Sequence, residues 1–399
     1  MPKDIDSPFT PGLPVAVEFF VGRMSEVTSL RNKVKKTLAG RLEIVFLYGE
    51  RGIGKSSLAS FVDYLCDREL QVLGLHTFLG GVKTLEEMVR RIFDRLLKES
   101  VDTSMYERVK TFFGDNIHEL GLFGISVEFG APEKDLRRLV HDFAPALRNL
   151  IEKLGDEKKG ILLILDDING LANSEEFANW LKSLVDEIST SRKPLPLCLI
   201  LVGLEERRQA LIKLQPSLAR VFDLVEIRAW SDDETRKFFG AAFSKVAMTI
   251  DADALQLLSR YAGGLPVLAH ELGDAAFNVD TDGRIDKNDA LEAVLTAADI
   301  VGRKHLEPQV FSSIRSPSYR TILRTIASGS FSETFSRAEV RNRLDKTEEK
   351  VFDNFLNKMV NLGVIARAPE EGRGAYRFCT RLHNVYFWLE AERARKSHD

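Results

Sequence analysis

The stretch IVFLYGERGIGKSSLASFVDYL, residues 44–65, joins an apolar run to an apolar-periodic run through three glycines and a lysine. Few local patterns restrict a fold as much. An apolar run of this length reads as a buried strand, and the periodic run after it reads as a helix. The spacing Gly49-x-x-x-x-Gly54-Lys55-Ser56 between them matches the phosphate-binding loop. Gly49, Gly52 and Gly54 let backbone N–H groups turn inward around phosphate oxygens, where side chains would block the approach. The helix beginning near Lys55 points its positive end at the same phosphates. Lys55 adds a full charge for the outer phosphates, and the Ser56 hydroxyl suits a Mg²⁺ ion. Glu50, Arg51, Ile53 and Ser57 complete the segment expected to wrap the nucleotide.

A nucleotide–Mg²⁺ site also needs a carboxylate at a strand end, within reach of the ion held by Ser56. The run GILLILDDI, residues 160–168, provides two. Asp166 is placed to hold the metal, and Asp167 to polarise the attacking water.

The rest of the chain supplies the setting. Apolar strands are expected at 72–81, 160–168 and 196–204, alternating with amphipathic helices such as TLEEMVRRIFDRLLKES (84–100). Continuous apolar strands between helices imply a parallel sheet covered on both faces, an α/β fold. Ser25 is read as the N-cap of the helix before the first strand and Gly40 as its stop. Residues 118–130 read as a short hairpin or an edge insertion, and 135–155 as one helix. Beyond about Trp230 the strands are expected to stop and four short capped helices to follow. From about Glu307 the pattern becomes three helices (318–328, 336–343, 348–362) and two strands around a Pro/Gly turn, a winged helix-turn-helix. The domain layout is then an extended N-terminal segment (1–17), a nucleotide-binding core (18–229), a helical lid (230–306) and a winged helix (307–399).

Net charge is −3, so no bulk basic character calls for nucleic acid and any such contact must come from a local patch. The three cysteines show no metal-ligand spacing, which fits a reducing compartment. The N-terminus lacks an apolar signal core, and no apolar run is long enough for a membrane span. The expectation is a cytoplasmic protein with no membrane partner.

The segments FFVGRMSEV, LYGERGIGKSSLA, LLILDDI, LILVGL and GGLPVLAHEL occur in the order found in AAA+ and STAND-type P-loop ATPases. The chain resembles the branch that includes archaeal origin-recognition initiators and related bacterial ATPases, and the similarity covers nearly its whole length. The resemblance implies a P-loop NTPase sheet, a helical lid, a C-terminal winged helix, and ATP with Mg²⁺ as cofactors. It implies that Phe20, Val21, Gly22 and Arg23 line the adenine pocket, and that Pro266 in the lid leans on the nucleotide. It also implies that Arg220 reaches a neighbouring subunit's phosphate. The chain differs from the pattern at two places. His270 stands where initiator lids carry an arginine, and Gly203 and Leu204 follow the fourth core strand, with Glu205 nearby, where a polar sensor is expected.

The winged helix leaves two function classes open. Its third helix begins with Glu348, Glu349 and Asp353, where DNA-reading helices carry Arg, Lys, Asn or Gln. Arg315, Arg320, Arg324, Arg337, Arg341, Arg343 and Lys346 form a basic cluster before and at its start, and the wing adds Arg367, Arg373 and Arg377. One class is a nucleotide-controlled switch for self-association or binding of a protein partner. The other is an initiator- or transposition-type ATPase that contacts DNA through these arginines.

Overall fold

The computed structural model describes residues 6–12, 20, 22–100, 105, 107–109, 112, 132–314, 316–327 and 334–396. Val21, Arg315 and the segment 118–130 lie outside them. The chain divides into two compact units, Pro14–Arg228 and Met1–Leu13 with Ala229–Asp399.

The first unit is built on five parallel strands: β1 (Glu43–Gly49), β2 (Val72–Phe78), β3 (Gly160–Asp166), β4 (Leu197–Gly203) and β5 (Asp223–Ile227). Their spatial order is β2-β3-β4-β1-β5. All seven residues of β3 and of β4 are buried, as two-faced coverage by helices demands. Register aligns the strand ends: Tyr48 pairs with Gly203, and Asp166 with Phe78. The C-terminal ends of β1, β4 and β3 therefore lie side by side.

The helices around the sheet differ from expectation in detail. Helix α1 (Met24–Thr37) begins one residue before Ser25, and its N-cap is Arg23 in the left-handed conformation (φ 56°). Ser25 spends its hydroxyl on Glu26. The helix ends before Gly40, which has φ 82°. Helix α2 is Lys55–Leu70 and helix α3 is Leu85–Glu99, capped by the Thr84 side chain. The single helix expected over 135–155 is two, Glu133–His141 and Phe143–Leu154. Pro145 explains the break, since its ring clashes with the carbonyl four residues back and it has no N–H to donate there. β5 and the helix Glu205–Leu214 carry no periodic signal strong enough to read. In β5 only Val225 and Ile227 are buried, because it is an edge strand.

In the second unit the helices Asp232–Lys245, Ala252–Ala262, Pro266–Val279 and Lys287–Val301 occupy the expected places. Strands do not stop at Trp230: β6 (Thr249–Ile250) and β7 (Arg284–Ile285) form a two-residue parallel pair. A π-helical stretch, Gly302–Phe311, follows the last of these helices directly, so Glu307 lies inside a helical segment. The winged helix contains helices Pro317–Ala327, Arg337–Arg341 and Lys346–Asn361. Its sheet has three strands rather than two: β8 (Thr334–Ser336), β9 (Ile365–Arg367) and β10 (Ala375–Phe378), in the order β8-β10-β9. A final helix, Arg381–Lys396, was not expected. It presses Tyr386 onto Gly302, where an added Cβ would lie 2.0 Å from the ring, and the Tyr386 hydroxyl donates to Glu307 (2.8 Å).

Within the N-terminal segment, expected to be extended, Phe9 and Thr10 are held by contacts. Phe9 is buried among Phe238, Phe239 and Phe243. Its ring occupies the space a side chain at residue 273 would need: a Cβ on Gly273 would fall 2.3 Å from it. The Thr10 N–H donates to Nδ1 of His270 (3.0 Å). His270 is thus a buried acceptor, and burial holds its imidazole down to about 4. A base whose folded pKa lies below its unfolded value stabilises the fold above the unfolded value and loses that contribution as pH falls. The second unit is therefore expected to lose stability as pH drops from about 6.5 to about 4. Thermal unfolding across that range should show a shallower pH slope in His270→Asn, which keeps an acceptor and removes the titration.

Candidate functional site

The glycine loop follows β1 directly, with β4 on one side of that strand and β5 on the other. Gly49 is required by close approach, since a Cβ there would meet the Ile227 carbonyl of β5 at 2.5 Å. Gly54 is the N-cap of α2 at φ 92°, a conformation that costs other residues a steric clash. Ile53 is buried beneath the loop, while Glu50 and Arg51 are exposed. Lys55, Ser56 and Ser57 open α2, so their backbone N–H groups belong to the unsatisfied first turn of a helix.

The Lys55 ammonium donates to the carbonyls of Gly49 (2.9 Å) and Glu50 (2.7 Å), across its own loop. Burial pushes its pKa below the usual lysine value, and the nearby Asp166 carboxylate opposes that shift, with smaller help from Asp167. The lysine and both acids are therefore electrostatic neighbours.

Asp166 ends β3 and is 3% exposed. His76 Nε2 lies 3.0 Å from its Oδ2. Asp167 follows in a left-handed conformation (φ 58°), one that aspartate tolerates better than most residues. Its side chain is half-buried. The Asn169 amide donates to its Oδ1.

Of the segment expected at the adenine, Phe20 stacks on Phe61 of α2, with centroids 4.4 Å apart and rings 10° from parallel. Gly22 has φ 79°. The Arg23 guanidinium is buried and donates to the Ile53 carbonyl (2.9 Å), so it braces the glycine loop from behind. Sequence spacing does not show that bond, because it joins two turns thirty residues apart. Val21 lies outside the described residues.

Beyond β4, Glu205 accepts from Arg208 (2.8 Å) and Gln209 (2.7 Å), and the Arg208 bond holds its carboxyl below the usual range. It is engaged within its own helix. Arg207, one turn into that helix, was not singled out from sequence; its Nε is buried with no hydrogen-bond partner among the described residues. Arg220 is exposed at the end of the 3₁₀ turn Pro216–Arg220, without an ion pair among the described residues. Pro266 lies in the second unit, buried at the first position of its helix.

The donors present fit ATP with Mg²⁺. A side-chain-free cradle, a lysine at its mouth, a helix N-terminus, and a hydroxyl and two carboxylates are the groups such a ligand needs. Ser56 and Asp166 would hold the cation, which supplies charge neutralisation at the phosphates.

In the winged helix the acids at the start of Lys346–Asn361 are already committed. Asp353 pairs with Arg337 (2.6 Å), and Arg341 reaches Glu349 (3.3 Å) and Asp353 (3.7 Å). Glu348 closes a capping box with Asp345 and is 8% exposed. In the wing, Arg377 pairs with Glu370 (3.2 Å). Arg320 and Arg324, on the helix Pro317–Ala327, are exposed and have no ion pair among the described residues.

Residues 20–200 match the family described as AAA ATPase domain. Among solved structures, the chain is similar to the Walker-type ATPase PABY2304 of Pyrococcus abyssi, at 18% identity and a TM-score of 0.57, covering 93% of this chain and 96% of that one. It is also similar to the Aeropyrum pernix ORC2 protein in its ADPNP–ADP complexes, at 16% identity and a TM-score of 0.58, covering 98% of each chain. At such identities the likeness is one of fold. None of the curated proteins matches the sequence.

The loop geometry gives a direct test. Gly49→Ala must displace the Ile227 carbonyl, and overpacking of that kind costs about 1–3 kcal/mol. Urea unfolding should show a loss of that size, and an unchanged midpoint would contradict the close approach of β5 to the loop.

Proposed function

We propose, from the AAA ATPase domain that residues 20–200 of this chain form, that the protein is an ATP-binding, Mg²⁺-dependent ATPase of AAA+/STAND type. It acts as a nucleotide-controlled switch for self-association or partner binding. The observation that carries this reading is the placement of Lys55 over the glycine loop, with Asp166 and Asp167 as its electrostatic neighbours. When ATP binds, the ammonium exchanges two backbone carbonyls for the outer phosphate oxygens, a charge-assisted contact of greater strength. Ser56 and Asp166 hold the cation. Asp167 orients the attacking water, with Oδ1 fixed by Asn169 and Oδ2 left for the water. The similarity in fold to an Aeropyrum pernix protein solved in ADPNP–ADP complexes is in keeping with nucleotide binding.

The winged helix fits a protein contact better than sequence-specific DNA reading. Its third helix carries acids where bases would be read, and Arg337 and Arg341 are spent on those acids. Arg320 and Arg324, with Arg367 and Arg373 of the wing, are exposed arginines without an ion pair among the described residues. DNA retention that falls steeply with salt and shows no sequence preference would reflect such backbone contacts.

Lys55→Ala should abolish ATP binding, while Asp167→Asn should bind ATP and lose turnover, measured by nucleotide titration and phosphate release. Arg220→Ala should bind ATP and lose activity if that residue acts on a neighbour's nucleotide, and mixing it with Lys55→Ala protein should then restore some turnover. Wild-type turnover in Asp167→Asn would remove the water-orienting role. Specific activity independent of protein concentration would remove the assembly reading.

A further inference from the structure

The residue that the sequence reading passed over, and that the site does not yet use, is His76. It lies in β2, is 3% exposed, and touches two other elements. One ring nitrogen, Nε2, is 3.0 Å from Asp166 Oδ2. The other, Nδ1, is 3.0 Å from the Ser60 hydroxyl on α2. The carboxylate fixes the direction of one of these bonds. An ionised carboxylate only accepts, so Nε2 carries the proton and donates it to Asp166. Nδ1 shares a second hydrogen bond with the Ser60 hydroxyl, a group able both to donate and to accept.

The Ser60 position adds meaning to this chain of bonds. Ser56 and Ser60 are four residues apart in α2 and therefore share one face of the helix, a turn apart. Ser56 is the hydroxyl expected on the cation. His76 thus spans the two elements that would grip the ion from opposite sides, the first turns of α2 and the end of β3. The span is held short from below. Gly74, two residues before His76 on the same face of β2, lies so near Asp63 of α2 that a Cβ there would fall 1.7 Å from its carboxylate oxygen. Phe78 stacks on the imidazole at 4.5 Å and closes the other side.

We infer that His76 is a positioning residue for the metal-side carboxylate: by donating to Asp166 Oδ2 and hydrogen-bonding Ser60, it fixes Asp166 relative to α2 so that Oδ1 faces the cation. The inference rests on the proposed Mg²⁺–ATP site and deepens it. No hydrogen bond engages Asp166 Oδ1 among the described residues, so one oxygen is anchored and the other is available. An outer partner of this kind orients a ligand and raises its affinity, and its loss typically costs about 10–100-fold in metal affinity.

The test separates metal affinity from packing and from nucleotide binding itself. The full chain, as wild type, His76→Leu, His76→Gln and Ser60→Ala, is titrated with a fluorescent ATP analogue in EDTA and across Mg²⁺ concentrations. Melting temperature is recorded alongside. Leucine keeps the apolar bulk and removes both bonds, whereas glutamine places an amide donor near the position of Nε2. The expected result is equal analogue affinity in EDTA for all four proteins. The half-saturating Mg²⁺ concentration should rise about 10-fold or more in His76→Leu. It should return to within a few-fold of wild type in His76→Gln, with Ser60→Ala between. If His76→Leu does not fold, the glutamine and alanine variants carry the comparison, and Ser60→Ala must still raise the Mg²⁺ requirement. An unchanged Mg²⁺ requirement in His76→Leu, beside a Mg²⁺-dependent wild type, overturns the inference alone. So does an equal loss of affinity with and without the metal, which marks a packing role. A wild type that binds no analogue, or binds it without regard to Mg²⁺, overturns the proposed site and this inference together.

Discussion

Parallel strands end at one edge of their sheet, and whatever terminates neighbouring strands there must share a small space. In this chain Gly49, Asp166 and Gly203 end three adjacent strands. The approach of Gly49 to the Ile227 carbonyl decides the rest. It excludes a side chain at the end of β1, and Gly54, in the left-handed region, then caps α2 at Lys55. The first-turn N–H groups of that helix and the Lys55 ammonium are thereby brought to the same edge as the two aspartates. Each piece is ordinary by itself: a buried strand, a helix N-terminus, a pair of acids. Their convergence follows from the strand order, which sets β3 two places from β1 with β4 between.

How much of this could be read from the sequence varied with the length over which the signal extends. The glycine loop and the Asp166–Asp167 pair are local patterns, and both appear where expected. The edge strand Asp223–Ile227 shows only two buried side chains, so its apolar signal is thin. The break at Asp142 is legible afterwards from Pro145, but amphipathic periodicity runs through it. The bonds that brace the site are long-range: Arg23 to the Ile53 carbonyl, and His76 to Asp166 across ninety residues. No spacing rule announces such pairs. A histidine in an apolar strand reads as a core residue until its two neighbours are known.

The second unit shows the same division. Its helices carry caps that can be read in order, and Asp345 and Glu348 form a capping box. The burial of Phe9 against Gly273 joins residues more than two hundred and fifty positions apart, and a Pro- and Gly-rich segment gives no hint of it. The basic cluster of the winged helix also changes meaning once folded. Arginines counted as free charges prove to be partners of the acids on the next helix. Their charge is then largely internal. Exposed pairs of this kind contribute modestly to stability, about 0–1 kcal/mol each, and they offset the charge of Arg337 and Arg341.

The central claim is that the turn after β1 holds the phosphate chain of a nucleotide, and calorimetric titration of the full chain with ATP, ADP and AMP in the presence of Mg²⁺ tests it most directly. In the proposed site the loop N–H groups and Lys55 would act on the outer phosphates, and hydrogen bonds to charged groups are worth about 1.5–3 kcal/mol each. ATP and ADP should therefore compete for one site per chain, with AMP weaker by more than about tenfold. AMP binding as tightly as ATP, or no binding of any of the three, would contradict the account.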